Sequence, residues 1–129
     1  MVALPHQYSS EPHEDDPDHA VPSVRNIDIQ CIKERGGSDL YLVVASALGG
    51  NERDLERLLQ KLENYLIFLQ SSQCVSQAGL ASPENTRVVV VVHPDSSPLV
   101  YELLRRNADW VANNGATLVV EPLSDQTLQ

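Results

Sequence analysis

From Arg25 to Ile32 apolar and polar residues alternate, with Ile27, Ile29 and Cys31 on one side and Asn26, Asp28 and Gln30 on the other. A period of two predicts a half-buried strand, and the same parity makes Cys31 a small core residue. Gly36-Gly37 supplies a permissive turn, and Leu40–Ala45 reads as a second strand, closing a hairpin. After Gly49-Gly50, Asn51 is placed to cap a helix whose first turn carries Glu52 and Asp54. Leu55, Leu58, Leu59, Leu62, Leu66 and Leu69 recur at helical spacing and predict one apolar face ending near Gln70. Residues 71–85 show no period and contain Gly79 and Pro83, which predicts a loop.

Val88–Val92 is an unbroken β-branched run, the pattern of a strand buried on both faces. Ser97 reads as a cap and Pro98 as the first residue of a second helix, which Gly115 stops. Thr117–Glu121 is the last strand. The order β-β-α-β-α-β predicts an α/β (α+β) two-layer sandwich. Right-handed crossovers between neighbouring strands make a four-stranded mixed sheet with both helices on one face. The alternative is another strand order, with one helix on each face.

This arrangement leaves the second sheet face without a helix. Tyr41, Val43, Val89, Val91 and Val119 fall on it and are the candidate partner-binding residues. If wet, they are expected to exceed the roughly 300–600 Å² of apolar patch that monomers tolerate. Covering such a patch would contribute on the order of 8–15 kcal/mol before association costs. A second copy, a partner or a folded-back terminus is the expected cover.

Charge divides the 129 residues unevenly. The first 24 hold five carboxylates, no Lys or Arg, and Pro5, Pro12, Pro17 and Pro22, so residues 1–24 are expected to form a flexible acidic tail. Residues 25–122 are the globular domain, with Val21 to Val24 placed to dock at its start, and residues 123–129 a short polar tail. A net charge of −9 argues against unaided binding to nucleic acid or an anionic membrane and suits a basic protein partner. No apolar run approaches the roughly 18 residues of a membrane span, and no secretory leader pattern opens the chain, so a cytoplasmic location is expected.

Candidate chemistry is sparse. No phosphate loop, H-E-x-x-H or G-x-S-x-G motif occurs, and no cofactor is expected. Asn51, His93, Asp95 and Ser97 sit where the strands end and the helices begin, the place where parallel sheets commonly bind ligands. Cys74 with His93 is a candidate nucleophile–base pair, set against a histidine that merely ends a strand. His6, His13 and His19 with the tail carboxylates are candidate metal ligands, set against a solvated tail. Trp110 is read as core rather than a contact anchor, and Arg105 and Arg106 as a solvated helix face. Lys61, Asn64 and Tyr65 lie off the leucine stripe and either fix a neighbouring loop or present a polar surface to a ligand.

The segment Leu58-Leu59-Gln60-Lys61-Leu62-Glu63-Asn64-Tyr65-Leu66-Ile67-Phe68-Leu69-Gln70-Ser71 resembles the L-L-Q-x-K-x-N-x-Y-x-x-F-I-x-S pattern of a small bacterial domain family of unknown function. The resemblance covers residues 25–122. It departs before the helix, where Ala47–Arg53 replaces that family's acidic, Trp-containing stretch. It implies a fold and a bacterial origin, and no reaction. Composition and resemblance together give three expectations. The first is a non-enzymatic protein-binding domain, such as an immunity protein, inhibitor or chaperone for a basic partner. The second is a small-molecule-binding or weakly catalytic domain with a pocket at the strand ends. The third is a homodimeric structural domain.

Overall fold

The computed structural model describes residues 14–124. Its strands are β1 (Ile29–Ile32), β2 (Ser38–Val44), β3 (Arg87–Val92) and β4 (Thr117–Pro122). Its helices are α1 (Glu52–Leu69), α2 (Ser72–Ala78), α3 (Pro98–Arg106) and α4 (Ala108–Asn113). The sheet order is β1-β2-β3-β4, with β1 antiparallel to β2 and the other pairs parallel. This is the four-stranded mixed sheet of a two-layer sandwich. The β1–β2 turn brings Gly37 onto Asn85 at a φ of 84°, a combination only glycine tolerates.

Both crossovers step to the next strand in the same direction, so a right-handed connection places the helices on the same side. The core bears this out. Leu40, Leu42, Val44, Val88, Val90 and Val92 join α1, α2, α3 and α4 residues in one cluster that omits Val89 and Val91. The arrangement with one helix on each face is thereby rejected.

Three elements differ from expectation. Residues 71–85 are not all loop, because Ser71 caps the short helix α2 and buries Cys74 and Ala78 against the core. The second helix breaks at Asn107 into α3 and α4. β1 is shorter than Arg25–Ile32. Asp28 leaves the ladder because its N–H donates to the Tyr65 hydroxyl and its carboxylate accepts from Val43 N–H.

That local break undoes the parity argument. Ile27 packs on the core, but Ile29 and Cys31 pair with Tyr41 and Asp39 on the face away from the helices. Cys31 is therefore exposed, not core, and Ile29 is 46 % exposed.

The expected flexible tail lies partly outside the described residues, which begin at Glu14. Residues 14–24 form a strap along α1 rather than a free tail. Val21 and Val24 are buried in the core cluster, and a fully buried Arg57 holds the strap by its backbone. Arg57 Nε and Nη2 donate to Val21 O, Nη2 also to Pro22 O, and Nη1 to Glu14 O. Asn64 donates to Val24 O, Arg53 pairs with Asp16, and His19 Nε2 lies 2.6 Å from Asp54. Because His19 Nδ1 accepts from Val21 N–H, the neutral ring carries its proton on Nε2 and donates it to Asp54. The net acidity that suggested disorder is offset here by basic side chains reaching out from one helix.

At the other end, Leu123 N–H still donates to Val92 O, so sheet pairing runs one residue past Pro122. Residues 125–129 lie outside the described residues.

Arg57→Ala should cost about 2–4 kcal/mol, because it strips the partner from the buried Val21 carbonyl and releases the strap at Glu14 and Pro22. Urea unfolding of the wild type and the variant checks this. Tyr65→Phe should cost about 1–3 kcal/mol by orphaning Asp28 N–H and Tyr41 C=O, with the same measurement.

Candidate functional site

The face of the sheet away from the helices is built by strand register. Tyr41 stands opposite Val89 and Val43 opposite Val91; Val89 in turn faces Val119. Ile29 and Cys31 extend the same face onto β1. All five candidate partner-binding residues thus fall together, with no helix on that side among the described residues.

Their exposure differs from the expectation of a broad wet patch. Val89 and Val91 are wholly inaccessible, while Tyr41, Val43 and Val119 are half-buried. Side chains on a central strand have neighbours at about 5 Å on both sides, which shields them where edge residues stay open. Among the described residues, only Ile29 on this face is a widely exposed large apolar side chain.

Its margins are charged and balanced. Asp39 accepts from Arg87 Nε and Nη2 at 3.1 and 2.8 Å, and Lys33 stands 3.2 Å from the same carboxylate. The Arg87 hydrogen bonds, with help from Lys33, hold the Asp39 carboxyl below the usual aspartate range. Glu121 lies at the far end of the face, opposite Val91.

The four strand-end residues meet at a junction that is closed by local hydrogen bonds. Asn51 accepts from Asp54 N–H and Ser97 from Leu99 N–H, so both are helix caps. Asp95 N–H donates to His93 Nδ1. Ser97 N–H donates to Leu48 O at 2.8 Å, and Ser96 Oγ accepts from Leu48 N–H at 3.0 Å, zipping the loop after β2 to the loop after β3. A side chain at Gly50 would collide with Ser97 Oγ and Leu99. Parallel sheets open a ligand crevice where neighbouring crossovers leave in opposite directions, and here they leave in the same direction. Of the residues expected to line a pocket, Ser97 ties the two loops together through its N–H, while Asn51, His93 and Asp95 make local bonds.

Cys74 and His93 do not meet. Cys74 is buried on α2, beside the start of the sheet, where Ala78 O accepts from Gly37 N–H. His93 follows the last residue of β3, about 20 Å along the strand direction. Burial pushes the Cys74 thiol up, away from the thiolate a nucleophile requires. Among the described residues no group of three His, Cys, Asp or Glu is arranged to hold a metal. Of the candidate tail ligands, His6 and His13 lie outside the described residues, and His19 is engaged with Asp54 and Val21. Trp110 packs at the margin of the core, and Arg105 pairs with Glu102 on an exposed face.

The polar residues of the α1 motif have a structural role. Lys61 Nζ donates to Asp28 at 2.8 Å, and the Tyr65 hydroxyl donates to Tyr41 O at 2.7 Å while accepting from Asp28 N–H. Burial raises the Tyr65 hydroxyl far above the ordinary tyrosine value, so it stays protonated. Arg57 belongs to the same row, and its role as a clamp was not read from sequence. The signal was available: Arg57, Lys61, Asn64 and Tyr65 are spaced by four, three and one, a second stripe beside the leucines.

The chain matches no family model, no curated protein and no solved structure. Among the described residues no helix is long and apolar enough to cross a membrane.

Since Asp39 titrates lower folded than unfolded, its stabilisation is present above the unfolded value and is lost as pH falls through the folded one. Asp39→Asn should therefore lower stability at pH 7 and flatten its decline below about pH 4. Thermal unfolding across pH 2–7 checks the sign, using about 3.9 as the unfolded aspartate value.

Proposed function

We propose that the chain is a non-enzymatic protein-binding domain of a bacterial cytoplasm, whose partner is basic and docks on the open face of the sheet. The observation that carries this reading is the open face itself. Five apolar or aromatic residues share one side of a rigid sheet that no described helix covers. Exposed Ile29 and half-buried Tyr41, Val43 and Val119 ring a shielded valine centre.

Charge supplies the partner's sign. Of the nine Lys and Arg, five hold a carboxylate within ion-pair distance and Arg57 is buried against carbonyls. Exposed Glu52, Glu56 and Glu63 lie on the outward side of α1, and Glu14, Asp15 and Asp18 on the strap beside it. These carboxylates are remote from the sheet face, so they act on encounter through the field of the whole protein. The apolar face then sets how long the complex lasts. An immunity protein or inhibitor of a basic toxin, or a chaperone for a basic client, works in this way. The family suggested by the α1 motif is compatible with this proposal and adds no reaction to it.

Purified from its own host, the protein should be recovered in a stoichiometric complex with one basic protein, read by native mass. Ile29→Lys with Val119→Lys should leave the fold intact and speed dissociation at least tenfold, about 1.4 kcal/mol. Glu52→Gln, Glu56→Gln and Glu63→Gln together should slow association several-fold and leave dissociation unchanged. Recovery of the wild type as a bare monomer, or a partner indifferent to the two lysines, contradicts the proposal.

A further inference from the structure

Between α1 and α3 the outer surface of the helix layer carries a groove. Leu55 from α1 and Leu99 and Leu103 from α3 surround a hollow of about 160 Å³, with Glu102 and Arg106 on the α3 margin. One turn further along α1, Leu59 lies in a second hollow of about 140 Å³ between Glu56, Gln60 and Glu63. Leu99 is 51 % exposed, yet it is held in place, lying so close over Gly50 that a Cβ there would meet its Cδ1 at 2.8 Å.

Glu52, Glu56 and Glu63 form an exposed row on α1 beside Leu55 and Leu59. Steps of four and seven residues keep them on one side of the helix. None has an ion-pair partner among the described residues. The contrast lies within α1, whose other polar row of Arg57, Lys61, Asn64 and Tyr65 is bonded to the strap, to Asp28 and to β2. On the α3 margin Glu102 pairs with Arg105, and Arg106 has no carboxylate partner among the described residues. The uncompensated negative charge of the groove thus lies along its α1 margin.

We propose that this groove docks an amphipathic helix of a partner protein, its apolar face on the leucines and its Lys or Arg residues along the flank over α1. Charge complementarity sets that flank, because the row from Glu52 to Glu63 runs about 16 Å, three turns of a docked helix. The two hollows stand one turn apart, so side chains four apart on the incoming helix, about 6 Å along its axis, enter one each. An extended segment fits less well, since helices bond their own backbone and offer it no ladder of partners. A second copy of this chain, with its net charge of −9, would bring like charge to the row. The groove faces away from the sheet surface proposed above, and the inference does not rest on that reading.

A helix-forming peptide of about fourteen residues, with leucines on one face and lysines beside them, is the probe for the full chain. Its control is the same peptide with glutamate in place of lysine. The lysine peptide should bind at least tenfold more tightly than the control and shift the amide signals of α1 and α3. Leu99→Gln changes no charge and should weaken the lysine peptide about tenfold. Glu56→Gln with Glu63→Gln should weaken it about fivefold at low salt and much less at high salt. Glu34→Gln with Glu84→Gln removes the same charge from exposed positions outside the groove and should have little effect. Ile29→Lys with Val119→Lys, on the sheet face, should leave the peptide bound. Equal loss from the two glutamate pairs, or indifference to Leu99→Gln, would overturn the inference, since either shows general attraction to an acidic chain. Loss of the peptide from the sheet-face variant would overturn it too, by placing the peptide on the sheet.

Discussion

Handedness is the constraint from which the rest of this structure follows. A strand–helix–strand connection between parallel neighbours turns right-handed, and the chain makes two such connections in the same direction. All helices of the described residues therefore fall on one side. The side chains of β2 and β3 then divide by parity into a set sealed under helices and a set facing away. Leu40, Leu42, Val44, Val88, Val90 and Val92 belong to the first, and Tyr41, Val43, Val89 and Val91 to the second. The same constraint removes the ligand crevice that a reversal of direction would have opened at the strand ends, and the caps and loop zipper there complete the closure.

α1 makes a one-sided sandwich workable for so short a chain, because it serves two partners at once. Its leucines lie on the sheet. Its second stripe, Arg57, Lys61, Asn64 and Tyr65, reaches sideways to the strap, to Asp28 and to the backbone of β2. The cost of burying two cations is met differently in each case. Lys61 has the Asp28 carboxylate, whereas Arg57 is held by backbone carbonyls whose own partners it becomes. The same bonds that order the strap thus keep the helix from carrying an unpaired buried charge.

Much of this was legible in the residues. The two glycine pairs, the caps at Asn51 and Ser97, Pro98 at the helix start and the valine run gave the element order, and handedness gave the layers. Less was legible where a tertiary bond overrides local pattern. The alternation through Ile27, Ile29 and Cys31 looks continuous, yet the bonds of Asp28 to Tyr65 and Val43 bend the chain there and send Ile29 and Cys31 to the open face. α2 is too short for periodicity to show and announces itself only by the Ser71 cap. The strap failed the composition argument because its binding is made by backbone carbonyls and by an arginine more than 30 residues away, and neither appears in local composition. Of the candidate sites, the sheet face was legible as a set of residues. Its degree of shielding was not, because that depends on neighbours in adjacent strands.

Thiol labelling tests the one-sided arrangement most directly, because the two cysteines report on opposite sides of it. Cys31 stands on the open face and Cys74 lies sealed beneath the helix layer. In the native protein, one thiol should react with an aromatic disulfide reagent at close to the rate of a free cysteine, and peptide mapping should place it at Cys31. Cys74 should react only on unfolding. Protection of Cys31 in the bare monomer, or native labelling of Cys74 at a comparable rate, would contradict the account.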